Sequence, residues 1–226
     1  WRGILLPTNE LSIQLNDHKV PIYGKDVADC ITRSGIVESE IKSLEIINGI
    51  VGVQSLLDSI KNLPFLEKLI VSKSVLFNGN FEDAAFSGLN LVSVKLPVIQ
   101  TIPANFFKNC IKLKNVEIDD ATKICSSAFS GCTSLEAINL NAEIFEGDGQ
   151  FEGCTSLKKV ELPEKLFWID NDAFKDCTSL EKFIFPQIGI KKIGKNAFRN
   201  CASLKEMILP SSIIKIKSGA FKGCKS

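Results

Sequence analysis

The sequence predicts a right-handed superhelical solenoid with a parallel β-sheet, in which each coil takes about 21–24 residues and contributes two short extended segments. Two observations lead to this fold class. A Phe-containing motif recurs at a nearly constant step, and an alternating apolar pattern follows each copy. The motif Phe residues are Phe86, Phe107, Phe129, Phe151, Phe174, Phe198 and Phe221, separated by 21, 22, 22, 23, 24 and 23 residues.

The motif itself is an eight-residue unit with Phe, Cys and Leu at fixed offsets. Ala128–Leu135, Ala173–Leu180 and Ala197–Leu204 share the pattern A-F-x-x-C-x-S-L, and Gln150–Leu157 is a fourth copy. Looser or shortened copies begin at Phe106, Ala85 and Ala220. This regularity indicates one structural unit repeated along the chain.

Each copy of the motif continues into two short extended segments. In one coil, Leu157 is followed by Val160 and Leu162, which alternate with polar residues as expected for a strand with one buried face. A second apolar pair, Leu166 and Ile169, precedes the next Phe. Since a single coil of this length cannot bury its own apolar side, we expect the coils to stack at about 4.8 Å and to share one core.

The unit A-F-x-x-C-x-S-L-x-x-[IV]-x-L-P resembles the BspA-type, or treponemal-type, leucine-rich repeat found in surface proteins of bacteria and protists. The resemblance covers residues 85–226 most regularly. It implies a leucine-rich repeat solenoid with divergent N-terminal repeats in residues 1–84, an irregular segment at about residues 8–36, and a truncated last repeat. We expect one continuous solenoid that is a piece of a longer array.

The overall composition is that of an ordinary globular protein. The 226 residues are 45% hydrophobic and carry a formal net charge of +1, which argues against a nucleic-acid partner. No apolar run approaches the roughly 20 residues that span a bilayer, so we expect no direct membrane insertion. The charge is nevertheless uneven, because residues 158–226 hold 14 Lys and Arg against 7 Asp and Glu.

Six of the 8 Cys occupy one slot of the repeat, three residues after the Phe. Members of this column are Cys110, Cys132, Cys154, Cys177, Cys201 and Cys224, whereas Cys30 and Cys125 lie outside it. The column resembles the Asn ladder of other leucine-rich repeats. We expect buried free thiols that act as small apolar fillers, with an oxidised pair and a metal site as alternatives. No C-x-x-C pair is present, so we predict no metal and no cofactor.

The sequence contains no assembled catalytic motif, and we expect a non-enzymatic protein. The single His, His18, and Cys30 could form a dyad, but a solvent-facing loop His is the simpler interpretation. The segment 146–150, Glu-Gly-Asp-Gly-Gln, lacks the alternating acidic run of a calcium loop and indicates a distorted turn.

Outward-facing columns supply the candidate binding residues. Six residues before each motif Phe, the column reads Thr101, Lys123, Phe145, Trp168, Lys192, Lys215. Two aromatic residues with Lys on both sides have the composition of an interaction hot spot. The candidate partner-binding residues are Phe145, Trp168, Lys192 and Lys215, together with Lys159 and Lys182 of the first extended segment. The alternative is that Phe145 folds inward at the irregular turn and Trp168 packs on Phe167.

These observations predict a non-enzymatic, protein-binding repeat scaffold. The family resemblance implies a cell-surface or secreted location and adhesion to host or extracellular-matrix proteins such as fibronectin and fibrinogen. The alternative function is an intracellular structural or scaffolding repeat protein, for which a cytoplasmic location is expected.

Overall fold

The structure is a computed structural model that describes residues 10–18, 20–119, 121–138, 142–186, 189–205 and 207–225. The chain forms two compact units. One comprises Trp1–Phe81 with Ser93–Pro97, and the other comprises Glu82–Val92 with Val98–Ser226.

The segment that does not match the repeat is ordered in the first unit. Strands β1 (Leu11–Leu15) and β2 (Ile22–Gly24) pair in antiparallel fashion. Helix α1 (Val27–Ser34) follows and is capped by Asp26, whose carboxylate accepts the Asp29 N–H at 2.8 Å. The described part of residues 8–36 is therefore a hairpin and a helix rather than irregular chain.

The parallel sheet of the first unit begins at β3 (Ser43–Gly52), which follows a 3₁₀ turn at Glu38–Glu40. Helix α2 (Val53–Lys61), β4 (Lys68–Val71), β5 (Val75–Asn78) and β6 (Ser93–Leu96) come next along the chain. The strand order is β2-β1-β3-β4-β6, and β5 pairs with the C-terminal half of β3. The hairpin strand β1 lies antiparallel on β3, whereas β4 and β6 continue the sheet in parallel.

The second unit consists of short strands and tight turns. Its strands are β7 (Thr101–Ile102), β8 (Asn115–Ile118), β9 (Lys123–Cys125), β10 (Ile144–Glu146), β11 (Lys159–Glu161), β12 (Trp168–Ile169), β13 (Lys182–Ile184), β14 (Lys192–Ile193) and β15 (Lys215–Ile216). Parallel pairing joins β7, β9 and β10, then β11 and β13, and finally β12, β14 and β15. The predicted fold class, a repeat solenoid with parallel sheets, is confirmed.

The motif Phe side chains form a continuous stack inside the second unit. The rings of Phe129 and Phe151 lie 5.1 Å apart at 5°, and those of Phe151 and Phe174 lie 5.3 Å apart at 4°. The stack continues through Phe198 to Phe221 at 5.6 and 5.4 Å. Nearly parallel rings at this distance gain dispersion energy in addition to apolar burial.

The turn around each Phe adds a backbone hydrogen-bond ladder between coils. The N–H groups of Gly149, Phe151 and Gly153 donate to carbonyl oxygens of the next coil at 2.8–2.9 Å. Gly149 and Gly153 have φ of 68° and 74°. Equivalent positions in other coils carry Asn105, Asn109, Ser127, Gly131, Asp172, Asp176, Asn196 and Asn200, all with positive φ. Gly, Asn and Asp dominate these slots because they tolerate the left-handed conformation best.

The cysteine column is a second ladder, and its thiols do more than fill space. The Sγ of Cys154 donates to the carbonyl oxygen of Phe129 at 3.1 Å, and Cys177 donates in the same way to Phe151 at 3.2 Å. Cys110, Cys132, Cys201 and Cys224 make the equivalent contact. All eight thiols are free. Each column thiol therefore adds a second hydrogen bond to a carbonyl oxygen that already accepts a backbone N–H, as the Phe129 oxygen accepts that of Cys132 at 3.2 Å.

Phe145 is not on the surface, so its assignment to an outward binding position is wrong, and the alternative that it folds inward at the irregular turn is confirmed. The β10–β9 register aligns Phe145 with the buried Ile124, and Ile144 with the outward Lys123. Phe145 is 1% exposed, and its ring lies 6.1 Å from that of Phe151. The turn between β10 and Phe151 contains one residue more than the equivalent turns of other coils. The position six residues before Phe151 therefore lies one residue further along β10, and because strand side chains alternate between the two faces, it points inward.

We expect Phe145→Ala to lower the free energy of unfolding by about 3–5 kcal/mol because it opens a cavity beside Phe151. Ile144→Ala, one residue away on the exposed face, is expected to cost less than about 1 kcal/mol. Urea unfolding of the two variants measures the difference. Equal losses would contradict the register.

We expect the buried column thiols to resist alkylation in the native protein. Burial raises the pKa of Cys110 to about 11 and that of Cys201 to about 12, and it holds the pKa of Cys154 and Cys177 well above the usual value. The neutral thiol is a poor nucleophile, so these residues stay protonated through pH 9. Iodoacetamide labelling with mass spectrometry should modify the partly exposed Cys125 and Cys224 first, and all eight Cys only after denaturation.

Candidate functional site

The sheet formed by β12, β14 and β15 carries three of the predicted binding residues in one outward column. Trp168 aligns with Lys192, and Lys192 aligns with Lys215. Trp168 points outward because the next residue of β12, Ile169, is fully buried in the core. Its side chain is 48% exposed. The structure thus brings Trp168, Lys192 and Lys215 together as the repeat register predicts.

Phe167 is a member of this surface that the sequence analysis did not select. Its ring lies 6.4 Å from that of Trp168 at 46°, so the two rings are neighbours, yet Phe167 remains 52% exposed. Packing on Phe167 therefore does not bury Trp168. The adjacent aromatic pair in the sequence was the signal that could have identified Phe167.

Backbone hydrogen bonds place two further residues, Lys191 and Ile214, in the same area. The N–H of Lys191 donates to the carbonyl oxygen of Phe167 at 2.7 Å, and the N–H groups of Ile214 and Lys215 donate to that of Lys191 at 2.9 and 3.2 Å. Ile214 is 82% exposed. We call this surface the Trp168 patch, and it consists of Phe167, Trp168, Lys191, Lys192, Ile214 and Lys215.

The electrostatic environment of the Trp168 patch is basic. Within the described part of the chain, Lys191, Lys192 and Lys215 form no ion pair. The nearby acidic group is Asp170. Its burial, with a smaller effect of Asp148, raises its pKa to about 6, and Lys192 and Lys217 oppose this shift.

Lys159 and Lys182 belong to a separate sheet. They lie in register on β11 and β13, and both side chains are exposed. Lys159 pairs with Glu161 at 3.2 Å. Beside Lys182 runs an open groove of about 850 Å³ that is lined mainly by apolar residues, namely Phe183, Ile184, Phe185, Pro186, Ile208 and Pro210. These two lysines therefore form a second candidate surface rather than an extension of the Trp168 patch.

The possible dyad of Cys30 and His18 is not assembled. The Sγ of Cys30 lies 3.9 Å from the carbonyl oxygen of Leu11, and burial raises its pKa to about 11. His18 is exposed, and no hydrogen bond joins it to Cys30 in the described residues. A buried thiol with a raised pKa is unsuited to nucleophilic chemistry.

In the Glu-Gly-Asp-Gly-Gln segment, residues 146–150, the side chains of Asp148 and Gln150 form hydrogen bonds with other groups of the protein. Asp148 accepts two contacts from Asn171 Nδ2, at 3.1 and 3.3 Å, and the amide of Gln150 donates to the Gly147 carbonyl oxygen at 2.8 Å. Across the described ranges, no group of three His, Cys, Asp or Glu side chains is arranged for a metal ion. None of the helices in those ranges has the length and apolarity needed to cross a bilayer.

Solved structures that are similar to this chain include proteins from two bacteria, Faecalibacterium prausnitzii and Bacteroides ovatus. A leucine-rich cell surface protein of Faecalibacterium prausnitzii is 22% identical with a TM-score of 0.60, and the match covers 81% of this chain and 48% of that protein. A leucine-rich repeat protein of Bacteroides ovatus is 23% identical with a TM-score of 0.46, over 81% of this chain and 58% of the other. This chain thus spans about half the length of the F. prausnitzii protein. No curated protein matches the sequence.

The family comparison agrees with the repeat seen in the sequence and in the structure. The model of the BspA type leucine-rich repeat region, which spans six copies, matches residues 59–147 and 147–226. These residues include the Phe stack, the cysteine ladder and the Trp168 patch. The chain belongs to the BspA-type leucine-rich repeat family.

Proposed function

We propose that this chain is a non-enzymatic, protein-binding repeat scaffold that acts in adhesion at the cell surface. The observation that carries the proposal is the half-exposed Trp168, which lies in an outward column beside Lys192 and Lys215. Trp is among the residue types enriched at the centres of protein interfaces, where a few side chains carry most of the binding energy. The candidate partners are host or extracellular-matrix proteins, among which fibronectin and fibrinogen are the first to test.

The exposed part of Trp168 is large enough to matter for affinity. A fully buried Trp side chain removes roughly 250 Å² from water. Burying the exposed half against a partner therefore contributes about 3 kcal/mol at about 25 cal/mol per Å². Such a contribution corresponds to about a hundredfold in the dissociation constant.

The burial of Cys30 and of most thiols in the cysteine column supports binding over nucleophilic catalysis. The cysteine ladder is occupied in hydrogen bonds to backbone carbonyls, and Cys30 lies in the core. The surface, in contrast, presents ordered columns of side chains over successive coils. A cell-surface location is consistent with the F. prausnitzii protein, which is itself described as a cell surface protein.

We expect Trp168→Ala to weaken binding of this chain to fibronectin or fibrinogen by about 30- to 100-fold, because the partner loses its main apolar contact. Surface plasmon resonance on immobilised matrix protein measures the change. Phe65→Ala is the matched control, since Phe65 is an aromatic residue that is 56% exposed in the first unit, and it should change affinity less than twofold.

Two results would contradict the proposal in different ways. Unchanged affinity of the Trp168→Ala variant would remove the Trp168 patch from the interface. Absence of binding to any matrix protein, together with a lack of surface labelling of the protein on intact cells, would contradict adhesion itself.

A further inference from the structure

The lysines of the Trp168 patch form no ion pair among the described residues, whereas five other lysines of the second unit each pair with a carboxylate of a neighbouring coil. The pairs are Lys123 with Glu146, Lys158 with Glu136, Lys165 with Glu143, Lys175 with Glu152 and Lys205 with Glu181. Lys191, Lys192 and Lys215 have no such partner among the described residues. Three lysines without an ion pair therefore lie close together in the patch and give it a local positive charge.

The register concentrates this charge. Lys192 and Lys215 lie directly opposite each other on the parallel strands β14 and β15. Neighbouring strands are about 4.8 Å apart, and like charges placed directly opposite on adjacent strands destabilise the sheet. An anion bound between the two ammonium groups would remove this repulsion, so the patch favours a negatively charged ligand.

The apolar side chains of the patch restrict the kind of anion. Phe167, Trp168 and Ile214 are each about half exposed or more, and they lie beside the lysines. The planes of the two aromatic rings meet at 46°, so the rings form an angled surface and not a single flat platform for stacked sugars. A peptide can present apolar and acidic side chains at separate positions, which matches this mixed surface. A highly sulfated polysaccharide carries charge on nearly every unit and would leave Ile214 and Phe167 without an apolar partner.

We propose that the Trp168 patch binds an acidic peptide segment of a partner protein, with an apolar side chain against Phe167 and Trp168 and carboxylates at Lys192 and Lys215. This inference rests on the proposed protein-binding function and specifies the chemistry of the partner.

Asp170 adds a pH dependence that follows from its position. It faces Asp148 of the preceding coil, Lys192 of the next coil and Lys217 of the one after, and it is half-buried. Because its pKa is raised to about 6, it loses negative charge as the pH falls from 7.5 to 5.5. The positive potential at Lys192 then increases, while ordinary Asp and Glu side chains of a ligand remain ionised above pH 5.5. Binding of an acidic peptide should therefore strengthen severalfold over this range, and Asp170→Asn should abolish the change.

The direct test uses Trp168 fluorescence. The chain has two Trp, so a Trp1→Phe background leaves Trp168 as the only indole. The probe is a synthetic hexapeptide, Asp-Glu-Leu-Glu-Asp-Phe, and the control is its amide counterpart, Asn-Gln-Leu-Gln-Asn-Phe. We expect the acidic peptide to bind at least tenfold more tightly than the amide peptide, with affinity that falls as salt is raised.

A matched pair of variants tests the role of the two opposed lysines. Lys192→Gln combined with Lys215→Gln should weaken the acidic peptide about tenfold and leave the thermal midpoint equal or higher, because like-charge repulsion is removed. Lys158→Gln combined with Lys205→Gln removes two exposed lysines that have acidic partners, and it should change peptide affinity less than twofold.

The outcomes separate this inference from the proposed function. Equal affinity for the acidic and amide peptides would overturn it, as would binding of heparin oligosaccharides without binding of the acidic peptide. Loss of fibronectin binding in Trp168→Ala but not in the Lys192 and Lys215 double variant would overturn the acidic chemistry while the adhesion proposal stands. Acidic-peptide binding without any matrix-protein binding would support the inference and contradict adhesion.

Discussion

Stacking of equivalent side chains between successive coils is the interaction on which the second unit depends. One coil of about 22 residues exposes its apolar side chains unless another coil covers them. The parallel rings of Phe129, Phe151 and Phe174 show how this is achieved, since each ring is covered by the equivalent ring before and after it. The left-handed residues around each Phe direct backbone N–H groups to the next coil, so the same contact also satisfies the turn.

Because inward side chains must stack on their equivalents in the next coil, inward and outward positions of the repeat differ in how much their residue types vary. Inward slots are repeated with little variation, and even the cysteines are used for hydrogen bonding to Phe carbonyl oxygens. Outward slots have no such restriction, because neither packing nor the ladder selects their side chains. Variation in outward columns is therefore where binding specificity can arise, and Trp168 between its apolar and basic neighbours is an example.

The turn before Phe151 shows the limit of an argument from repeat length. Gln150 occupies a slot that holds Ala in most other coils, and it is fully buried with its amide donating to the Gly147 carbonyl oxygen. The turn accommodates one more residue than its neighbours, so Ile144 takes the outward slot and Phe145 enters the core. Counting residues back from Phe151 does not detect the additional residue, because the spacing between the motif Phe residues stays nearly constant.

The repeat, the parallel pairing and the inward Phe and Cys columns follow from the amino-acid sequence, because side chains at fixed offsets must stack if each coil is to bury its apolar face. The sequence also predicted the outward alignment of Trp168, Lys192 and Lys215. Three features emerge only from the folded chain, namely the choice of the inward orientation for Phe145, the hairpin and helix within residues 10–36, and the addition of Phe167, Lys191 and Ile214 to the patch. These features depend on local turn geometry and on hydrogen bonds between coils, which periodicity along the chain does not encode.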